Sequence, residues 1–207
     1  TASMGQIGTG EWRIHSQSLN AKDVVSNGNT LYAAFDAALL EYDADYKELS
    51  TWDVTNGLSD IQLTRLGVHP GSGSVFVGYE NGNIDQIQNG QAINIPGLKL
   101  ATIMGSKRIH SIKSKGNYTY FATGIGIVKV DPARHEIRDT YYPNASEEEI
   151  IEITFKGDSI YALTKTRMYK GNLNNPALAD SSQWTLDTRL PVISDSQFEY
   201  RDLECWN

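Results

Sequence analysis

The sequence predicts an all-β fold: a β-propeller of four-stranded antiparallel blades, with about four complete blades forming a partial ring. Three observations predict it. Short runs rich in Ile, Val, Tyr and Thr alternate with turns that carry Gly and Asn, the signature of hairpins. An aromatic residue recurs at the same place in each run, at Tyr32, Phe76, Tyr120 and Tyr161, with spacings of 44, 44 and 41 residues. An outer strand then follows, marked by Trp52, Ile95, Tyr141 and Trp184. A repeat in the low forties is the size of a propeller blade.

The unit is clearest in residues 108–131, RIHSIKSKGNYTYFATGIGIVKVD. Ile109 and Ile112 mark an inner strand, and Lys115-Gly116-Asn117 turns it. Residues 118–122 return, Gly124 and Gly126 turn again, and residues 127–130 complete a third strand. Aligning the other units on this one places second strands at 31–35, 75–79, 119–123 and 160–164. A Gly-containing turn precedes each, at 27–29, 70–73, 115–117 and 156–158. The third strands carry Leu40, Ile84, Val128 and Tyr169. The blades are expected at roughly 21–60, 61–106, 107–149 and 150–194.

Residues 150–155 alternate apolar and polar with a period near two, as a strand should. Neighbouring blades cover both faces of each middle sheet, so apolar residues are expected in both registers. Helical signal is thin. Residues 144–149 read as a short turn capped by Ser146, and 176–180 as a turn inserted in the fourth unit. Residues 10–16, with Trp12 standing 20 residues before Tyr32, read as the outer strand of a closing blade. Residues 198–207 read as the start of a fifth blade. The chain is therefore expected to be a fragment of a seven-bladed ring, with open edges that invite self-association.

Composition narrows the function classes. The chain has 207 residues, a formal charge of -7 and no basic run longer than Lys107-Arg108. A polyanion needs a concentrated basic face, so nucleic acid is not an expected partner. Cys205 is the single cysteine, which excludes an intrachain disulfide and leaves the compartment open. No run of 18 apolar residues exists, so no membrane span is expected in this chain. The first residues lack the basic start and apolar middle of a signal peptide.

The search for chemistry finds no catalytic, metal-ligating or cofactor-binding residue, and it identifies no ligand-binding residue. His15, His69, His110 and His135 have no partners at metal-ligand spacing on one element. Tyr42-Asp43-Ala44-Asp45 has two carboxylates but lacks the other oxygens of a calcium loop. Gly124-Ile125-Gly126 and the glycines at 5–10 lack the strand-to-helix setting of a phosphate cradle. Glu147, Glu148 and Glu149 read as a solvated loop. Trp52, Tyr79, Tyr141, Tyr142 and Trp184 are positioned to stack sugar rings where they reach a rim. As repeat-equivalent positions, most are read as blade core.

Several segments resemble one family. Thr55-Asn56-Gly57-Leu58-Ser59-Asp60 resembles the hallmark between blades of two-component regulator propellers of Bacteroidetes. Residues 78–85 (GYENGNID), 107–112 (KRIHSI), 124–128 (GIGIV) followed by Asp131, and 136–141 (EIRDTY) are similar, in order, to the N-terminal propeller of PorZ-like proteins. The wording at 120–126 departs somewhat from that family. The resemblance implies an exported outer-membrane or cell-surface protein with two seven-bladed propellers and a C-terminal sorting sandwich. It further implies a part in type IX secretion and cargo attachment, with envelope proteins and lipopolysaccharide glycan as partners and no catalysis or cofactor. One rival is a periplasmic carbohydrate-sensing propeller of a hybrid two-component regulator. The second is a polysaccharide-processing enzyme, which would need paired carboxylates or a Tyr or His base converging at the funnel.

Overall fold

A computed structural model of the chain describes residues 20–144 and 148–204. Within them the chain folds into four antiparallel sheets, each of four strands in chain order. The first holds β1 (Asp23–Asn27), β2 (Thr30–Ala34), β3 (Leu39–Asp43) and β4 (Glu48–Trp52). The second holds β5 (Leu63–His69), β6 (Ser74–Tyr79), β7 (Ile84–Gln88) and β8 (Gln91–Asn94), after which comes one helical turn, α1 (Gly97–Leu100). The third holds β9 (Ile109–Lys115), β10 (Tyr118–Thr123), β11 (Gly126–Asp131) and β12 (Glu136–Tyr141). The fourth holds β13 (Glu152–Lys156), β14 (Ser159–Leu163), β15 (Met168–Asn172) and β16 (Thr185–Leu186).

The hairpins follow from turn chemistry. Gly28, Gly116 and Gly157 occupy the same turn position in three sheets, with φ of 61°, 59° and 57°. Those angles are open to Gly at no steric cost, which fixes turn and register together. The sheets then stack face to face through three apolar clusters. Tyr32, Ala34 and Leu39 meet Leu63, Val75 and Tyr79 between the first and second sheets. Phe76 and Ile84 meet Ile109, Phe121 and Val128 between the second and third, with the two Phe rings edge to face at 5.5 Å. Tyr120 and Ile127 meet Ile153, Ile160 and Trp184 between the third and fourth. Each fully buried large side chain contributes about 1.5–3 kcal/mol.

Every residue of β6 is buried, because alternate side chains face the first and the third sheet. The sheets also approach closely: a Cβ on Gly78 would lie 2.7 Å from Ile109 Cγ2. Gly at that position admits the neighbouring strand.

Two expected outer-strand markers stand beside their strands. Ile95 lies just past β8, still held by its N–H to Ile84 O at 2.8 Å. Trp184 precedes β16, because a 3-10 turn at Ser181–Gln183 takes its N–H at 3.1 Å. That turn is capped by the Asp180 carboxylate, which accepts from the Ser182 N–H at 2.8 Å. The helical turn α1 was not expected; it plugs Leu98 into the cluster between the second and third sheets. Ser146 and residues 10–16 lie outside the described residues. Residues 198–204 form no strand and cross the fourth sheet instead. Tyr200 donates its N–H to Lys165 O at 2.8 Å, and Leu203 packs beside Tyr161 and Met168. No helix among the described residues is long and apolar enough to cross a membrane.

Among the described residues nothing covers the outward face of the first sheet. Register places Leu31 opposite Tyr42 and Tyr42 opposite Leu49, so these three share one face. Leu31 is 46% exposed and Leu49 66%.

Candidate functional site

In each sheet the loop from second to third strand and the connection to the next sheet lie at the same end. Polar groups gather there. In the connection after β4, buried Leu58 inserts between the first two sheets while the Ser59 N–H donates to Asp85 Oδ2 at 2.8 Å. Asp85 is fully buried, and it also accepts from Tyr79 Oη at 2.6 Å and Asn94 Nδ2 at 2.9 Å. Burial first, and then Asp85, push the Tyr79 phenol far up. Asp60 accepts from Asn81 Nδ2 and Lys99 Nζ, both at 2.6 Å. Burial would raise the Asp60 pKa, but those bonds outweigh it and hold the carboxyl low. Every polar atom in this group has a structural use, and no ligand is required to explain it.

A different arrangement lies between the third and fourth sheets. A cavity of about 540 Å³ opens there, lined by Met104, Ile125, Tyr142, Asn144, Glu148 and Glu149 among others. Met104 is 91% exposed on its lip and Tyr142 is 41% exposed. Glu148 pairs with Arg167 at 3.4 Å. Glu149 Oε2 stands 3.6 Å from His110 Nε2, longer than a hydrogen bond. Burial lowers the His110 pKa, outweighing the opposite pull of Glu149. Among the described residues, His110 Nε2 and Asn144 Nδ2 are buried polar nitrogens without a hydrogen-bond partner. Such groups call for an explanation, because burying them unpaired is costly.

The inner strands line a second, more polar groove of about 490 Å³ with Asp23, Arg65, Lys113 and Glu152. Glu152 accepts from Ser111 Oγ, and Arg65 Nε donates to His110 O at 2.8 Å. Burial raises the Glu152 carboxyl against the opposing bonds from Ser111 and the Ile153 N–H.

The remaining candidates fall mostly into structural positions. His69 is buried, with Nε2 3.1 Å from Gly116 O of the next sheet. His135 Nδ1 lies 3.0 Å from Gln86 Oε1. Asp43 accepts the Asp45 N–H at 2.9 Å, and Asp45 accepts from Asn29 at 2.9 Å, so the pair shapes a turn. Gly124-Ile125-Gly126 joins β10 to β11 as a hairpin, with Gly124 pressed against the Ser106 backbone. Trp52 Nε1 donates to Glu41 Oε2 at 2.5 Å; burial and that same Glu41 push the Tyr32 phenol up to about 12. Tyr79, Tyr141 and Trp184 are core, and Tyr142 reaches the surface. His15, the glycines at 5–10, Glu147 and Cys205 lie outside the described residues. Among the described residues no group of three or more His, Cys, Asp or Glu could hold a metal ion.

Sequence reasoning missed Met104 and Asn144. Their only signal was position in connections between blades, where side chains that neither pack nor turn the chain gather.

Comparison with known proteins adds a family. Residues 31–185 match the family described as TSS9, PorZ, N-terminal beta-propeller domain. Among solved structures, the chain is similar to PorZ, an essential surface component of the type IX secretion system of Porphyromonas gingivalis. That match has 23% identity and a TM-score of 0.72, and it covers 81% of this chain and 22% of PorZ. The extracellular domain of the one- or two-component system BT4673 of B. thetaiotaomicron matches at 16% identity and TM-score 0.66, over 89% of this chain and 25% of that one. The computationally designed Ika4 protein matches at 16% identity and TM-score 0.60, over 77% of this chain and 94% of its own. At these identities the structural likenesses speak for the fold alone. No curated protein matches the sequence significantly.

Proposed function

The chain belongs to the PorZ N-terminal β-propeller domain family, and from that premise we propose that it is a non-catalytic binding and scaffolding module of an exported cell-surface protein. In this reading it supports type IX secretion and cargo attachment by contacting other envelope proteins, with lipopolysaccharide glycan as a further contact. The family match over residues 31–185 carries the proposal.

The test is made on the parent protein in its own cells. A membrane-impermeant label should reach it, and it should co-purify with outer-membrane proteins. Deleting the propeller should leave cargo unattached. A parent protein protected from the label, or cargo attachment that survives the deletion, sinks the reading. The uncovered first sheet also supports self-association of the isolated chain. A strictly monomeric light-scattering mass at high concentration would remove that part.

The fold shared with the extracellular domain of BT4673 supports a second reading, a periplasmic sensor propeller; carbohydrate as its ligand is carried by the sequence resemblance alone. A transmembrane segment and kinase in the parent protein would select it, whereas a C-terminal sorting domain selects the first reading. A hydrolysis screen on acidic and neutral glycans is expected to be null, and turnover there would revive an enzyme.

A further inference from the structure

The cavity between the third and fourth sheets has a specific chemistry that the family membership does not assign. Its two carboxylates are unequal. Glu148 is neutralised by Arg167 at 3.4 Å, and Thr166 Oγ1 also reaches it, at 3.4 Å. Glu149 faces only His110 among the described residues, at 3.6 Å and without a hydrogen bond. A partly buried carboxylate beside an imidazole held neutral by burial is an anion waiting for a cation. Tyr142, which is 41% exposed, lines the same cavity, and an aromatic ring attracts cations over its face. The lip is apolar: Ile103 is exposed, and Met104 is almost wholly so. Exposed Met is unusual on a resting surface and suits an adaptable contact with aliphatic chain.

We propose that this cavity binds a lysine or arginine side chain presented by an extended peptide segment of a partner protein. The cationic head pairs with Glu149 and lies against Tyr142. Its methylene stem runs along Met104 and Ile103, as long basic side chains do over apolar surface. Charge decides the occupant: an anionic ligand would meet Glu149, and the formal charge of -7 draws basic segments toward the whole surface. A neutral sugar could use Tyr142 and Glu149, but it gains little from the Met104 and Ile103 lip. The assignment rests on the reading of the chain as a binding module.

The experiment uses the whole chain and blocked peptides acetyl-Ala-Leu-Xaa-Leu-Ala-amide, with Xaa as Lys, Arg, Gln or Glu, followed through backbone amide NMR shifts. The Lys and Arg peptides should give saturable shifts at Ile125, Tyr142 and Glu149. The Gln peptide should bind roughly ten-fold more weakly, about 1.4 kcal/mol, and the Glu peptide should not bind. Glu149→Gln should remove the Lys preference, and Met104→Ser should weaken both basic peptides. Should Glu149→Gln fail to fold, the unaltered chain still reports the charge: Lys-peptide affinity should drop several-fold on adding roughly 0.5 M salt. Equal affinity for Lys and Gln peptides, absence of saturable shifts at the cavity, or salt-independent binding overturns the proposal. So does binding of chitohexaose at Tyr142 that the Lys peptide does not displace. A protein that fails here yet co-purifies with envelope partners loses only this pocket; one that passes here but stays unlabelled on cells loses the secretion reading.

Discussion

The first and second sheets are the same four-stranded unit written twice, yet they live in different physical settings. In the second sheet β6 is buried at every position, because a sheet packs on each side of it. In the first sheet β2 buries Tyr32 and Ala34, while Leu31, one residue over, stands half exposed. The strand alternation is equally apolar in both. The difference teaches that burial in a stacked repeat belongs to the interface between units, and a strand's own composition does not set it.

The sharpest way to break the comparison is to empty matching places in the two sheets. Phe76→Ala removes a fully buried ring from the contact with Phe121, and about 3–5 kcal/mol of stability should go with it. Leu31→Ala on the open face should change stability by no more than about 0.5 kcal/mol. Urea unfolding of both variants reads the difference, and similar losses would mean that the open face is covered in solution.

Polar groups give a second, smaller contrast. Asp85→Ala leaves the Tyr79 hydroxyl and the Ser59 N–H without their acceptor, while the Asn94 amide keeps Asn83 Oδ1 and Ile84 O, a loss of roughly 3 kcal/mol. Asp45→Ala breaks an exposed pair with Asn29 and should cost about 0.5 kcal/mol. If thermal melts show the two equal, Asp85 is not the staple between connection and sheet described above.

Backbone crowding comes third. Gly78→Ala drives a methyl toward Ile109 and should cost roughly 1–3 kcal/mol by overpacking. Gly28→Ala meets no atom within 4 Å but keeps a φ of 61°, so its penalty of about 1 kcal/mol is conformational. Adding Ile109→Ala, which removes the crowding Cγ2, should shrink the cost of the first substitution and leave that of the second unchanged, and chemical denaturation of the double variants checks it.

The smallest effect is a pH slope. Burial places the folded pKa of His110 below its ordinary value of 6.5. The unfolded chain therefore binds this proton at higher pH than the folded one. The contribution is fully present above about pH 6.5 and is lost as pH falls from there toward the folded value. His110→Asn should flatten this part of the stability profile between pH 7 and roughly pH 5. A slope equally steep in the variant would assign it to the carboxylates instead.

Much of the fold was legible because turns and strand lengths are local matters. Gly28, Gly116 and Gly157 announce the hairpins, and the recurring aromatic at Tyr32, Phe76, Tyr120 and Tyr161 sets the repeat. The candidate site was largely hidden. Tyr141 and Tyr142 are neighbours in sequence and both aromatic, but the pleat sends one into the core and leaves the other at the cavity. Met104 and Asn144 carry no motif, and only the meeting of two blade connections gives them a common space.

The sequence by itself determined the repeat, the strand order within each sheet and the glycine turns, because these depend on backbone preferences over a few residues. The tertiary structure alone decided which sheet face is covered, how Asp85 accepts from three donors at once, and that Glu149 faces no Lys or Arg among the described residues. Those outcomes depend on side chains from different repeats, such as Ser59 and Asp85 or His110 and Glu149, whose distance apart no local pattern encodes.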